Sequence, residues 1–151
     1  MIIKSLEQLE ILSIKIAKKI SNSDCILLYG EIGSGKTTFS RYLINFIQEK
    51  NNIKKTEVLS PTFNLLYEYK INSLKVMHYD LYRLKKSAEI KQLDIFDVRA
   101  KTVKIIEWPE LITHNIIDKI ELRFSHMQNM NERNLSFKGY GKWKDFQIDE
   151  F

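Results

Sequence analysis

Three of the chain's five glycines fall in one short run, Gly30-Glu31-Ile32-Gly33-Ser34-Gly35-Lys36-Thr37. The run matches G-x-x-x-x-G-K-[ST], a loop that cradles phosphate groups. Glycine lets the backbone turn tightly and approach a ligand closely. Backbone N–H groups of the loop then converge on phosphate oxygens, and a helix starting there adds roughly half a positive charge. Lys36 supplies a full charge for the β- and γ-phosphates, and the Thr37 hydroxyl suits a magnesium ion bridging the same two groups. Gly30 through Thr37, with Thr38 beside them, are therefore the expected contacts for a nucleoside triphosphate, ATP with Mg2+.

Holding a triphosphate is not hydrolysing it. Turnover also needs groups that hold the metal and orient water, usually at the ends of neighbouring strands. Asp80 ends an apolar run through Val76 and His78, and Glu107 ends the run Val103 to Ile106. Either could serve the metal, directly or through water, and spacing leaves the two roles interchangeable. His78 shares a strand face with Asp80 at period two, so it either tunes that acid or is a hydrogen-bonded packing residue. His114 and His126 lack Cys or acidic partners at ligand spacing, which argues against zinc. Thr62, after Pro61, reads on its own as a turn residue.

These groups need elements to position them, and the hydrophobic pattern supplies them. Leu6, Leu9, Leu12, Ile16 and Ile20 recur at helical spacing with Ser5 as N-cap, predicting an amphipathic helix that covers a sheet. Asp24 to Tyr29 is continuously apolar after its first residue, as in a parallel strand buried on both faces, and Thr37 to Glu49 returns to helical periodicity. Strand, glycine loop and helix thus follow in direct succession. Val58 and Leu59 predict a brief strand stopped by Pro61, and Phe63 to Ile71 with Leu74 to Tyr82 predict an antiparallel hairpin about Asn72 and Ser73. A weak helix over Ala88 to Phe96, a strand over Thr102 to Glu107 and a last hairpin through Ile120, Leu122, Phe124, Leu135 and Phe137 complete the pattern. The last ten residues and Trp143 carry no readable motif. The expected fold is an α/β P-loop three-layer sandwich with a mixed sheet, parallel around the loop and antiparallel at the hairpins.

Composition narrows the classes further. The 151 residues suit one domain, 1–151, and an apolar content of 44% with 28% charged residues matches a folded chain. Apolar stretches such as Ile26 to Tyr29 fall far below the roughly 20 residues a bilayer span needs, and the N-terminus lacks the layout of a secretory signal. Cytoplasmic residence and no membrane partner are expected. The lone Cys25 heads an apolar strand and reads as a small buried residue. A net charge of +5 would favour an anionic partner, but the cations are scattered, so direct nucleic-acid binding gains little support.

In combination the downstream segments are far more specific. Ser60-Pro61-Thr62-Phe63, then His78-Tyr79-Asp80-Leu81-Tyr82-Arg83, then Glu107-Trp108-Pro109-Glu110 resemble the TsaE (YjeE) family in order and spacing, and the resemblance runs from Ser5 to near Gly139. It implies an ATPase of bacterial tRNA modification that acts with TsaB and TsaD to install threonylcarbamoyl on the adenosine beside the anticodon. It also implies that the chain does not transfer the carbamoyl group and meets tRNA only through the complex. Residue by residue, the resemblance makes Lys36 and Thr37 the phosphate and metal contacts and Ser60 to Phe63 a switch near the γ-phosphate, with Thr62 its sensing hydroxyl. Glu107 is similar to the acidic magnesium ligand and Asp80 to the acid that polarises or positions water. Trp108 would pack beside the site, and Glu110 and Arg133 would join the nucleotide contacts. Leu9 stands where a threonine is usual, so the base contacts there stay open.

Two rivals share the loop. A small-molecule kinase normally needs a lid or arginines around an acceptor, and this chain has five dispersed arginines and no inserted lid. A regulatory GTPase would carry an N/T-K-x-D run and a D-x-x-G switch, which are missing here. A third reading keeps the site but lets ATP merely fix the switch for a partner to dock, with negligible hydrolysis.

Overall fold

Ser5 opens the first helix as its residue type predicts: its hydroxyl accepts from the Gln8 N–H at 3.2 Å, and α1 runs Leu6–Lys19. The computed structural model describes residues 1–97, 101–129 and 131–148. After α1 come β2 (Cys25–Tyr29) and α2 (Lys36–Lys50), preceded by a short β1 (Ile2–Ile3). The hairpin is β3 (Leu66–Ile71) with β4 (Leu74–Asp80), followed by a one-turn α3 (Ser87–Ile90) and β5 (Thr102–Glu107). The last pair is β6 (Lys119–His126) and β7 (Arg133–Tyr140).

All seven strands join one sheet in the order β1-β7-β6-β2-β5-β4-β3. Its centre is parallel, with β6, β2, β5 and β4 side by side. Both margins are antiparallel, through β7 with β1 on one side and β3 on the other. The mixed sheet expected from sequence is thus present, with β2, the strand that feeds the glycine loop, inside the parallel block. Alternation on the strands divides the core. Ile26, Leu28, Val103 and Ile105 pack with Leu12, Ile16, Phe39 and Leu43 under α1 and α2. Cys25, Leu27, Tyr79 and Ile106 face the other way, beneath Leu81, Ile90 and Ile95. Burial pushes the Cys25 thiol up to about 12, against the pull of Lys104 and Lys119.

Three expectations need correction. Val58 and Leu59 form no strand; Val58 is instead a buried plug whose carbonyl accepts from Arg41 Nε at 3.2 Å. The hairpin begins at Leu66 rather than Phe63, because Leu65 adopts φ +65° and turns the chain, leaving Phe63 81% exposed. The helix over Ala88 to Phe96 shrinks to Ser87–Ile90 and a 3-10 turn Lys91–Leu93, ended by Asp94 in the left-handed region. Trp143, read as carrying no signal, is buried in the core, and its indole N–H donates to Asp24 at 3.1 Å. No described helix is long and apolar enough to cross a membrane.

Candidate functional site

The glycine loop leaves β2 at the C-terminal edge of the parallel block, where open α/β sheets bind ligands. Gly30, Gly33 and Gly35 all have positive φ, at +138°, +73° and +111°. At Gly30 a side chain is also excluded by space, since a Cβ would lie 2.4 Å from the Phe124 carbonyl oxygen. Gly35 caps α2 without any side-chain hydrogen bond, and the first turn holds no acid. The N–H groups and positive pole of that turn therefore keep their capacity for an anion. Lys36 arches back over the loop: Nζ donates to the Gly30 and Glu31 carbonyls at 2.7 and 2.8 Å and lies 4.1 Å from the centre of the Trp108 ring. Burial lowers the Lys36 pKa, while the Glu107, Asp80 and Glu110 carboxylates pull it back up.

Sheet register brings the two acids together. In the β4–β5 pair Asp80 stands opposite Glu107, and in the β2–β5 pair Glu107 stands opposite Leu28, two residues before the loop. Glu107 is 1% exposed. Its Oε2 accepts from the Thr37 hydroxyl at 2.9 Å, and its Oε1 meets His78 Nε2 at 2.8 Å and the Ser40 hydroxyl at 3.4 Å. Asp80 looks to the irregular segment instead. Its Oδ2 accepts from Thr62 at 2.7 Å and Ser60 at 3.3 Å, and its Oδ1 from the Tyr82 N–H at 3.0 Å. Of the two sequence readings of His78, the hydrogen-bonded packing residue is the one observed. Its partner is Glu107 rather than Asp80, because a ring reaching diagonally to the adjacent parallel strand meets the acid two residues on.

The remaining expected contacts are scattered around the loop. Ile32 is 69% exposed at its tip and Glu31 is exposed beside it. Ser34 is buried with its hydroxyl unpartnered. Glu110, exposed on the 3-10 turn Pro109–Leu111, reaches Lys36 only through its field. Trp108, with φ +58°, places its ring under Lys36 and beside Tyr82, at 4.8 Å between centres. Arg133, at the start of β7, donates to the Gly33 carbonyl at 3.4 Å. With Leu6, Leu9, Gly35, Thr38 and Asn131 it lines a cavity of about 270 Å3 on the helix side of the loop. Leu9 gives that cavity part of its apolar wall, with Ser5 and Thr38 as hydroxyl-bearing neighbours. Another cavity, about 320 Å3, opens between Cys25, Thr102 and His114 at the opposite ends of the strands and touches no loop residue. His114 stacks on Phe96, and His126 Nε2 sits 3.1 Å from the Ile32 carbonyl.

Ser40 is not singled out by the sequence, and Arg83 only as the last residue of the segment His78 to Arg83. Ser40 has a helical signal, since it follows Thr37 by three positions on α2 and so shares its face. Arg83 holds the segment Ser60 to Phe63 from outside, with Nη1 donating to the Phe63 carbonyl at 2.9 Å. Among the described residues no three His, Cys, Asp or Glu side chains gather at one point. Magnesium needs no such cage: it keeps several waters and takes one or two protein oxygens beside the phosphates of its substrate. The adjoining Thr37 hydroxyl and Glu107 carboxylate are hard oxygen donors of that kind.

A parallel strand, a glycine loop with an overarching lysine, a helix whose first turn is uncapped by any side chain, and an acid on the adjacent strand define a P-loop α/β protein. The chain belongs to the TsaE family: residues 3–135 match the family described as "Threonylcarbamoyl adenosine biosynthesis protein TsaE". Relatives described as "tRNA threonylcarbamoyladenosine biosynthesis protein TsaE" include that of Rickettsia typhi, 37% identical over 81% of this chain and 82% of its own length. The Rickettsia conorii relative is 38% identical over 74% of this chain, but the match spans only 62% of that protein. The Bacillus subtilis relative is 28% identical over 84% of this chain and 77% of its own. The fold is similar to the crystal structure of Bacillus subtilis YdiB, with a TM-score of 0.69 at 22% identity over 94% of this chain and 85% of that one.

Proposed function

We propose that residues 1–151 form a single cytoplasmic P-loop domain that binds and hydrolyses ATP with Mg2+ for tRNA threonylcarbamoyladenosine formation. It works with TsaB and TsaD and does not itself transfer the carbamoyl group. The observation that carries this reading is the Thr37 hydroxyl on Glu107 at 2.9 Å, next to the loop that Lys36 spans. A phosphate chain in the loop offers Lys36 stronger acceptors than the two carbonyls it now uses, since bonds to charged groups contribute about 1.5–3 kcal/mol each. Bound Mg2+ would supply charge neutralisation at the β- and γ-phosphates, with Thr37 and Glu107 as its protein ligands. Asp80, fastened to Thr62, holds the acceptor that would orient water. Apolar Leu59, Phe63 and Tyr82, exposed around that segment, suit a protein partner that reads its position. tRNA is met through that complex.

Isolated turnover is expected to be slow, because groups supplied in trans to P-loop proteins accelerate hydrolysis by about 10³ to 10⁵. The test is ATP and GTP turnover by the purified chain, alone and with TsaB and TsaD, with Lys36→Ala as control. Stimulation of ATP hydrolysis by the partners supports the reading. Turnover that ignores them and appears on a small-molecule acceptor would make the chain a kinase.

A further inference from the structure

Glu107 has two carboxylate oxygens, and the structure treats them differently. Oε2 turns toward the helix start, where Thr37 meets it; Oε1 turns back into the core, where His78 and Ser40 hold it. His78 is fully buried and makes no hydrogen bond through Nδ1. A neutral imidazole has one N–H and one bare nitrogen. A buried donor without a partner is rarer than a buried acceptor without one. The single proton therefore belongs on Nε2, donated to Glu107, with Nδ1 as the bare nitrogen. Ser40 is the weaker hold, because its one hydroxyl proton has two acceptors, the Lys36 carbonyl at 3.0 Å and Oε1 at 3.4 Å.

We propose that His78 and Ser40 are positioning residues: they occupy Oε1 of Glu107 so that Oε2 alone faces Thr37 and the divalent cation expected there. The inference rests on the reading of Glu107 as the metal-facing acid. A carboxylate on a flexible side chain can swing or offer both oxygens; anchoring one of them presets the other beside Thr37. Outer partners of this kind typically change metal affinity ten- to a hundredfold when removed.

The experiment titrates Mg2+ into wild type, His78→Gln, His78→Leu, Ser40→Ala and Glu107→Gln, each with a non-hydrolysable ATP analogue, and measures analogue affinity separately in EDTA. His78→Leu is expected to lose about tenfold or more in Mg2+ affinity while its metal-free affinity stays within about twofold of wild type. His78→Gln, whose amide nitrogen reaches the place of Nε2, should recover most of the loss, and Ser40→Ala should lose severalfold. Wild-type Mg2+ affinity in His78→Leu, equal losses with and without metal, or no rescue by Gln would overturn the proposal. Should His78→Leu fail to fold, the wild-type chain decides by ¹⁵N NMR of His78. An Nε2–H tautomer supports the proposal and an Nδ1–H tautomer sinks it. Unchanged Mg2+ affinity in Glu107→Gln has a different meaning, because it removes Glu107 from the metal site whatever His78 does.

Discussion

Glu107 and Asp80 stand opposite each other on neighbouring strands, and each accepts a hydrogen bond from a threonine, yet the two pairs are built differently. Thr37 lies in the first turn of α2 and Glu107 at the end of a central strand, so both ends of that pair are held by regular backbone, with His78 and Ser40 behind. Thr62 lies in an irregular segment held beyond Asp80 by single bonds such as Arg83 on the Phe63 carbonyl and the Leu65 N–H on the Pro61 carbonyl. The first pair joins two regular elements; the second joins a strand end to a segment without regular structure. If the proposed roles hold, the first pair is the fixed metal ligand and the second the movable sensor.

The largest effect should come from Lys36, whose charge the carboxylates of both pairs feel. Lys36→Ala removes charge-assisted bonds of about 1.5–3 kcal/mol each, roughly tenfold or more in affinity per bond. Calorimetry should show triphosphate binding nearly abolished, and unchanged affinity would defeat the assignment of the loop. Next come the acids. Glu107→Ala and Asp80→Ala should both keep metal-free triphosphate binding and lose turnover, but only Glu107→Ala should lose Mg2+ affinity, by at least about tenfold. Equal Mg2+ affinities in the two variants would erase the distinction drawn between the pairs, and wild-type hydrolysis in both would make the carboxylates structural.

Thr62→Ala should be milder, lowering turnover about tenfold, the worth of one hydrogen bond to a charged group, with Mg2+ affinity unaltered. A parallel loss of Mg2+ affinity would mean that the switch pair supports the metal site after all. The smallest effect belongs to Cys25, at the far end of β2. With its pKa raised from 9.0 to about 12, the thiol should resist alkylation at pH 8 whether nucleotide is present or not. The raised value also means that its contribution to stability is present below pH 9 and is lost as pH climbs from about 9 toward 12. Mass spectrometry after brief alkylation, and unfolding midpoints across that range, check both points.

Much of the scaffold was legible locally. The helix opened by Ser5, the strand from Cys25 and the succession of strand, loop and helix all follow from period and capping, which act within a few residues. Where the reading failed, the deciding force came from elsewhere in the chain. Val58 and Leu59 have strand-like side chains, but no neighbouring strand offers them a ladder, so Val58 serves as a core plug. Trp143 has no local pattern and gains its place only by packing in the core and bonding Asp24, far away in sequence. Phe63 alternates correctly for a strand, yet the turn at Leu65 removes it from the hairpin.

The loop, its lysine and the candidate acids were determined by the sequence alone, because phosphate binding is encoded in consecutive residues whose backbone makes the site. The partnerships were decided by tertiary structure. Spacing left Asp80 and Glu107 interchangeable; the parallel register set Glu107 beside Leu28 and the loop, with Asp80 one strand further out. That register also carried His78 to Glu107. Which strand lies next to which is set by how the two core layers pack around the sheet, and no run of neighbouring residues contains it.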